Sequence, residues 1–184
     1  MIVAVHQPNF VPWMPFFLKM AAADKMVIMQ HCQFEKGGYQ NRFRFNEQWF
    51  TMSAGPKSLV PIEKKVYLKP DQDWAAIKGR LPQFRDKLRE MDELIGRNLV
   101  MTNVDIIRHI ADKLGITTPI DFDYPTEKRA TARLVDICKH YGATRYLAGP
   151  SGKGYMDLQQ FHTAGIDVRF HEVADKRHSL EVYE

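Results

Sequence analysis

A chain of 184 residues, 45% of them hydrophobic, can bury a proper core and is expected to form one domain over 1–184. No run of about eighteen apolar residues occurs, which argues against a transmembrane helix, and Pro8, Asn9 and Pro12 break up an N-terminus that also lacks the basic leader of a secretory signal. Cys32 and Cys138 are too few for a disulfide framework or a cysteine-based zinc site, and the expectation is reduced thiols in a cytoplasmic protein. A net charge of +4 favours an anionic partner such as a nucleotide, a phosphorylated sugar or nucleic acid, but the excess is too spread out to argue by itself for a DNA-binding module.

The first thirty residues read as strand, polar turn, helix and strand. Ile2 to Val5 is an apolar run that stops at His6-Gln7-Pro8-Asn9, because Pro8 cannot donate to a ladder and biases Gln7 away from helical geometry. Pro12 or Pro15 fits the first turn of a helix running to about Ala23, and Met26 to Met29 is the second strand. In such a βαβ unit the strands are most simply parallel, and ligands bind outside their carboxyl ends, which places His6, Gln7 and Asn9 at the rim of a site. A strand that simply ends in polar residues is the plainer alternative.

The polar stretch from His31 to Arg42 is too long for a minimal turn, and such loops are often functional. Gly37-Gly38 supplies a bend, and Gln40, Asn41, Arg42 and Arg44 supply donors suited to carboxylate or phosphate oxygens. From Arg42 to Ala54 the side chains alternate, Phe43 and Phe45 on one face and the two arginines on the other, with Asn46-Glu47-Gln48 as a hairpin turn. Either the arginines serve a ligand or they are solvated on an ordinary hairpin.

Further along, Lys64 to Leu68 is a short β-like run, and Asp71 or Asp73 caps a helix beginning near Trp74 that Pro82 breaks. Trp74, Ile77, Leu81 and Leu88 read as core. Asn103 is the expected cap of a helix from Val104 to Leu114 closed by Gly115, and Thr126 the cap of a helix reaching Tyr141 and closed by Gly142. His109 reads as structural and Cys138 as a buried thiol on an apolar stripe with Leu134 and Ile137.

Arg145 to Ala148 is a buried strand that runs into a second polar turn, Gly149-Pro-Ser151-Gly152-Lys153-Gly-Tyr155, before a helix from Met156 to Thr163 and a last β-like run from Ile166 to Phe170. Glycines, a hydroxyl and a lysine between strand and helix suit an anion held by backbone N–H groups, although a flexible surface loop is the alternative. The Walker A spacing is absent, so P-loop nucleotide hydrolysis is not supported. The class expected is α/β: a mostly parallel sheet flanked by helices, Rossmann-like or nucleotidyltransferase-like, with an inserted β-hairpin. Both polar turns then open on one sheet edge.

Three stretches resemble the WbqC-like proteins of bacterial surface-polysaccharide gene clusters: His6-Gln-Pro-Asn-Phe-Val-Pro-Trp13, Cys32-Gln33-Phe-Glu-Lys with Tyr39-Gln-Asn-Arg42, and Tyr146-Leu-Ala-Gly-Pro-Ser-Gly with Tyr155-Met-Asp157. The resemblance implies a transferase that attaches a small amino acid such as glycine to a sugar, and relatives are linked to attaching amino acids to modified bases in viral DNA. Members of the family usually carry aspartates just before the position of Gln33, where this chain has Gln30-His31-Cys32, and usually continue past the last strand into a serine-containing segment and a further helix. A weaker likeness is to nucleotidylyltransferases of the pantothenate synthetase kind, in topology rather than in letters, since no His-x-x-His follows the first strand.

Three functions fit these residues. In a group transferase, His6 or His31 acts as general base; Arg42, Arg44 and Lys153 neutralise a phosphate or carboxylate; and Ser151 and Gly152 donate to developing charge. A nucleotidylyltransferase would take a nucleotide with magnesium. A non-catalytic module for phosphosugars or nucleic acid would use Trp13, Tyr39 and Tyr155 as stacking platforms.

Overall fold

A computed structural model describes residues 1–183. In chain order its elements are β1 (Ile2–His6), α1 (Met14–Ala21), β2 (Lys25–Ile28), β3 (Arg42–Phe45), β4 (Gln48–Thr51), β5 (Ala54–Gly55) and β6 (Val66–Tyr67). There follow α2 (Pro70–Arg80), α3 (Arg85–Arg89), α4 (Leu99–Lys113), β7 (Ile120–Phe122), α5 (Ala130–His140), β8 (Arg145–Ala148), α6 (Leu158–Thr163) and β9 (Asp167–Phe170). Among the described residues no helix is long and apolar enough to cross a membrane. The chain divides into two compact units, one of residues 1–6, 15–29 and 116–176, the other of residues 7–14, 30–115 and the described residues from Arg177 on.

The first unit is an α/β layer structure built on a five-stranded, wholly parallel sheet in the order β7-β2-β1-β8-β9. Alternation sends Val3, Val5, Val27, Tyr146 and Ala148 to one face, where they join Leu134, Ile137 and Cys138 of α5 and Phe161 of α6 in one core. Ala4, Met26, Ile28 and Leu147, which point the other way, are equally buried, as strands covered on both sides require. The chain steps from β1 to β2 in one direction and from β8 to β9 in the other. Right-handed crossovers therefore put α1 and α6 on opposite faces.

The second unit holds the hairpin β3–β4, the short pair β5–β6 and helices α2 to α4. Phe43 stacks on Phe50 with ring centroids 5.1 Å apart, and Phe10 lies 5.8–6.1 Å from the rings of Phe43, Tyr67 and Trp74. The alternation read from the sequence holds: Phe43 and Phe45 are buried, Arg44 is exposed and Arg42 half-buried. Asn46 and Glu47, both at positive φ, form the two-residue turn that matches strand twist, with Gln48 already in β4.

Four helix starts differ from those expected. The helix assigned to an Asn103 cap begins at Leu99, with the Asn98 side chain accepting from Met101 N at 3.0 Å, and Asn103 sits in the interior of α4 with no exposed surface. The apolar stripe extends upstream through Leu99 and Val100, which moves the cap back. Similarly α2 begins at Pro70 rather than near Trp74, because proline suits a first helical turn, and Asp73 instead accepts from the backbone N–H of Ser53 at 2.7 Å. Thr126 does not cap α5, which starts at Ala130 after a left-handed turn at that residue. The last helix begins at Leu158, two residues late, capped by Asp157.

Candidate functional site

The sheet reverses its winding between β1 and β8, and in open α/β sheets ligands sit outside the carboxyl ends of the strands at such a switch point. His6 is the last residue of β1 and Gly149 the first after β8. The register pairs Ala4 with Leu147, so two further steps bring Gly149 level with His6. Both polar turns therefore leave adjacent parallel strands on the same edge. The His6 ring rests edge-on against Phe16, centroids 4.8 Å apart, and its carbonyl accepts from Met29 N at 2.8 Å.

Two groups that sequence reasoning missed belong to this edge. Lys19 is 5% exposed on α1 and donates from Nζ to the carbonyl of Val5, the residue before His6, at 3.1 Å. Burial pulls its amine down to about 7, so a neutral lysine exists near physiological pH. His171, which follows β9 and donates its N–H to Ala148 O at 2.8 Å, is likewise held below the ordinary histidine value, by burial first and by the charge of Lys19 second. Its buried Nε2 has no hydrogen-bond partner among the described residues. A lone lysine within Met14-Pro-Phe-Phe-Leu-Lys-Met-Ala was the available signal, since a charge inside an apolar helix must find a polar target.

The turn after β8 is more closed than its composition suggested. Residues 150–154 form a 3-10 helix, and the N–H of Gly152 donates to Gly149 O at 3.0 Å, so Gly152 does not offer that N–H to a developing charge. Gly152 is a glycine for packing: a Cβ there would lie 2.7 Å from Met156 Sδ. Nor does α6 present a bare N-terminus, because the Asp157 carboxylate accepts from Gln159 N at 3.0 Å. Ser151, Lys153 and Tyr155 remain exposed, Lys153 with its ammonium 5.3 Å from the Phe170 ring.

The other nominated residues lie in the second unit. Gln7 accepts from Gln40 Nε2 through its Oε1 and lies 3.6 Å from Cys32 Sγ through its Nε2. Asn9 turns back on Gln7, its N–H donating to Gln7 O at 2.9 Å, and Val11 two residues on holds a left-handed conformation that a β-branched residue rarely adopts. Trp13 Nε1 donates to Arg44 O at 3.1 Å, and the Arg44 guanidinium is 3.8 Å from Glu47. His31 Nε2 is 3.2 Å from a Glu63 carboxylate oxygen, and Gln33 bridges to Pro61. Asn41 Nδ2 donates to Met52 O at 2.6 Å, while Arg42 is engaged by the carbonyls of Gly37 and Gly38 and stacks 3.8 Å over Trp49.

Asn103, read from sequence only as a helix cap, organises this set. Its Nδ2 donates to Pro8 O at 2.8 Å and Gln40 O at 2.6 Å, and its Oδ1 accepts from the Tyr67 hydroxyl at 2.6 Å. One buried amide thus fixes the turn carrying Gln7 and the loop carrying Gln40. Among the described residues no group of three or more His, Cys, Asp or Glu side chains is placed to hold a metal ion.

The chain is similar to the Mycobacterium tuberculosis (strain ATCC 25618 / H37Rv) protein named "Uncharacterized protein Rv1507c", 28% identical over 184 residues that span 90% of this chain and 80% of the relative. No solved structure matches the chain significantly. The profile of the WbqC-like protein family matches residues 7–180, from the glutamine after His6 to Leu180, and so includes all but the first of the residues nominated above. With the three motifs in order and the match running nearly end to end, the chain belongs to the WbqC-like protein family.

Proposed function

We propose that the protein is a group transferase that joins a small amino acid, such as glycine, to a phosphate-activated acceptor, either a surface-polysaccharide sugar or a modified DNA base. The observation that supports this reading is the pairing of His6 and the Gly149–Lys153 turn on adjacent parallel strands at the switch point. The amine nitrogen attacks the acceptor carbon, forming a C–N bond as the C–O bond to phosphate breaks and its electron pair departs with the phosphate. His6 takes the proton released by the amine, and imidazole titrates in the range that makes this efficient. Lys153 and the Ser151 hydroxyl, both exposed, meet the departing phosphate.

General-base assistance contributes on the order of 10²–10⁴ in rate, so its loss is easily read. The test is incubation with isotopically labelled glycine and a panel of nucleotide sugars and phosphorylated-base DNA, with the product weighed by mass spectrometry. His6→Ala should abolish product while leaving the melting temperature nearly unchanged. Full activity in that variant removes His6 from the mechanism. Pyrophosphate release from ATP or CTP with magnesium, and no glycine transfer, would replace the reading with nucleotidyl transfer.

A further inference from the structure

The second unit contains a cavity of about 430 Å³ between the 34–42 loop, the ends of β4 and β5, and the 56–59 loop. The transfer step placed at the carboxyl edge of β1 and β8 makes no use of it, although Arg42, an anion-binding candidate from the sequence, lies in its wall. Its walls carry Lys36, Arg42, Lys57 and Lys65 and no acidic side chain. Cations gathered in a concave, partly apolar wall focus a positive field, and none of these four forms an ion pair among the described residues.

The two inner cations are fixed by carbonyls rather than carboxylates, so their charge is held in place without being cancelled. Lys65, 4% exposed, donates to Pro56 O and, at 3.0 Å, to Ser58 O, with its ammonium 4.6 Å from the Phe34 ring. An ammonium has three donors, and these two bonds leave one. Arg42 is braced by Gly37 and Gly38, and a Cβ on Gly37 would come within 3.2 Å of its terminal nitrogen. Lys36 and Lys57 line the same cavity with exposed side chains. Phe34, Pro56 and Leu59, the last 75% exposed, provide an apolar wall beside the charge. Uncancelled cations next to an apolar surface suit a ligand that is a polyanion at one end and a flat or apolar body at the other.

We propose that this cavity binds a nucleotide, with its phosphates on Lys36, Lys57 and Arg42 and its nucleoside against Phe34 and Leu59. The volume lies within the range of small-molecule sites, roughly 300–1,000 Å³. The inference is independent of the group-transfer step, since none of these residues belongs to the β1–β8 edge.

Titration calorimetry of the full chain with UDP and ADP, and with uridine, adenosine and inorganic phosphate as controls, tests it. Saturable binding of a diphosphate is expected, at least about tenfold tighter than its nucleoside or phosphate, a gap of ~1.4 kcal/mol. Raising salt toward ~1 M, where the Debye length is about 3 Å, should weaken it. The double variant Lys36→Gln/Lys57→Gln changes only exposed side chains, so it should melt as the parent does and bind about tenfold or more weakly. His6→Ala should bind like the parent, which separates this site from the transfer chemistry. Absence of diphosphate binding, phosphate binding as tightly as the diphosphate, or an unaffected double variant overturns the proposal. So does binding of an oligo-dT strand that UDP and ADP cannot displace.

Discussion

Replacing Asn103 with leucine keeps the volume and removes every polar contact of the hub. The carbonyls of Pro8 and Gln40 lose the donor now at 2.8 and 2.6 Å, and the Tyr67 hydroxyl loses its acceptor at 2.6 Å. Tyr67 can recover part of this, because its hydroxyl already lies 3.4 Å from Gln40 O. A buried group left unsatisfied costs about 1–3 kcal/mol, so roughly 2–5 kcal/mol of stability should go. At about 2–4 °C per kcal/mol for a chain of this size, the melting temperature should fall by roughly 4–20 °C. Trp13, Trp49 and Trp74 are all the tryptophans of the chain and all lie in the second unit, so urea unfolding followed by tryptophan fluorescence reports the unit that Asn103 holds. Tyr67→Phe removes only the hydroxyl, and the double variant should show about 1 kcal/mol of coupling because both changes delete the same bond. If Asn103→Leu unfolds within about 0.5 kcal/mol of the parent, or the two changes simply add, the hub is not what orders Gln7 and Gln40.

Other perturbations read the buried ionisable groups. His178 is pushed down to about 3 by burial, so as pH falls below about 6.5 the unfolded chain takes up a proton that the folded chain refuses, and stability should drop by ~1.4 kcal/mol per pH unit toward pH 3. His178→Asn keeps a cap for the N–H of Leu180 and should remove one proton from that slope in acid titrations of stability. For Lys19 the window is alkaline: between about 7 and 10.5 only the unfolded lysine is protonated, so the parent should gain stability as pH rises through that range. Lys19→Met should lack that rise and gain most on the parent at pH 7 or below, a comparison that urea unfolding at pH 7 and 10 makes directly. Burial pushes the Cys138 thiol up to about 12, and in a Cys32→Ser background it should resist a disulfide reagent until the protein is unfolded.

The centre of the sheet was legible in the sequence because its three inner strands are buried on both faces and therefore read as short continuous apolar runs, Ile2–Val5, Met26–Met29 and Tyr146–Ala148. Polar residues at their carboxyl ends then marked an edge without any knowledge of strand order. Helix starts were less legible, since Asn98 and Asn103 are equally good caps by type and only packing of Leu99 and Val100 decides between them. Gly152 shows the same limit: the residues of an anion-binding turn are present, yet its N–H is spent on Gly149 and its missing side chain makes room for Met156. Lys19 and His171 lie far apart in sequence, and nothing local records that burial depresses both or that the charge of Lys19 lowers His171 further. The hub at Asn103 is long-range in the same sense, joining residues 95 and 63 positions away.

The claim on which the functional reading depends is that the carboxyl edge of β1 and β8 is where substrate meets the protein. Amide shifts of the ¹⁵N-labelled chain during titration with glycine, and then with an accepted activated sugar or DNA base, test it most directly. His6, Gly149, Ser151 and Lys153 should move together along one saturation curve. Shifts confined to other parts of the chain, with these four silent, would contradict it.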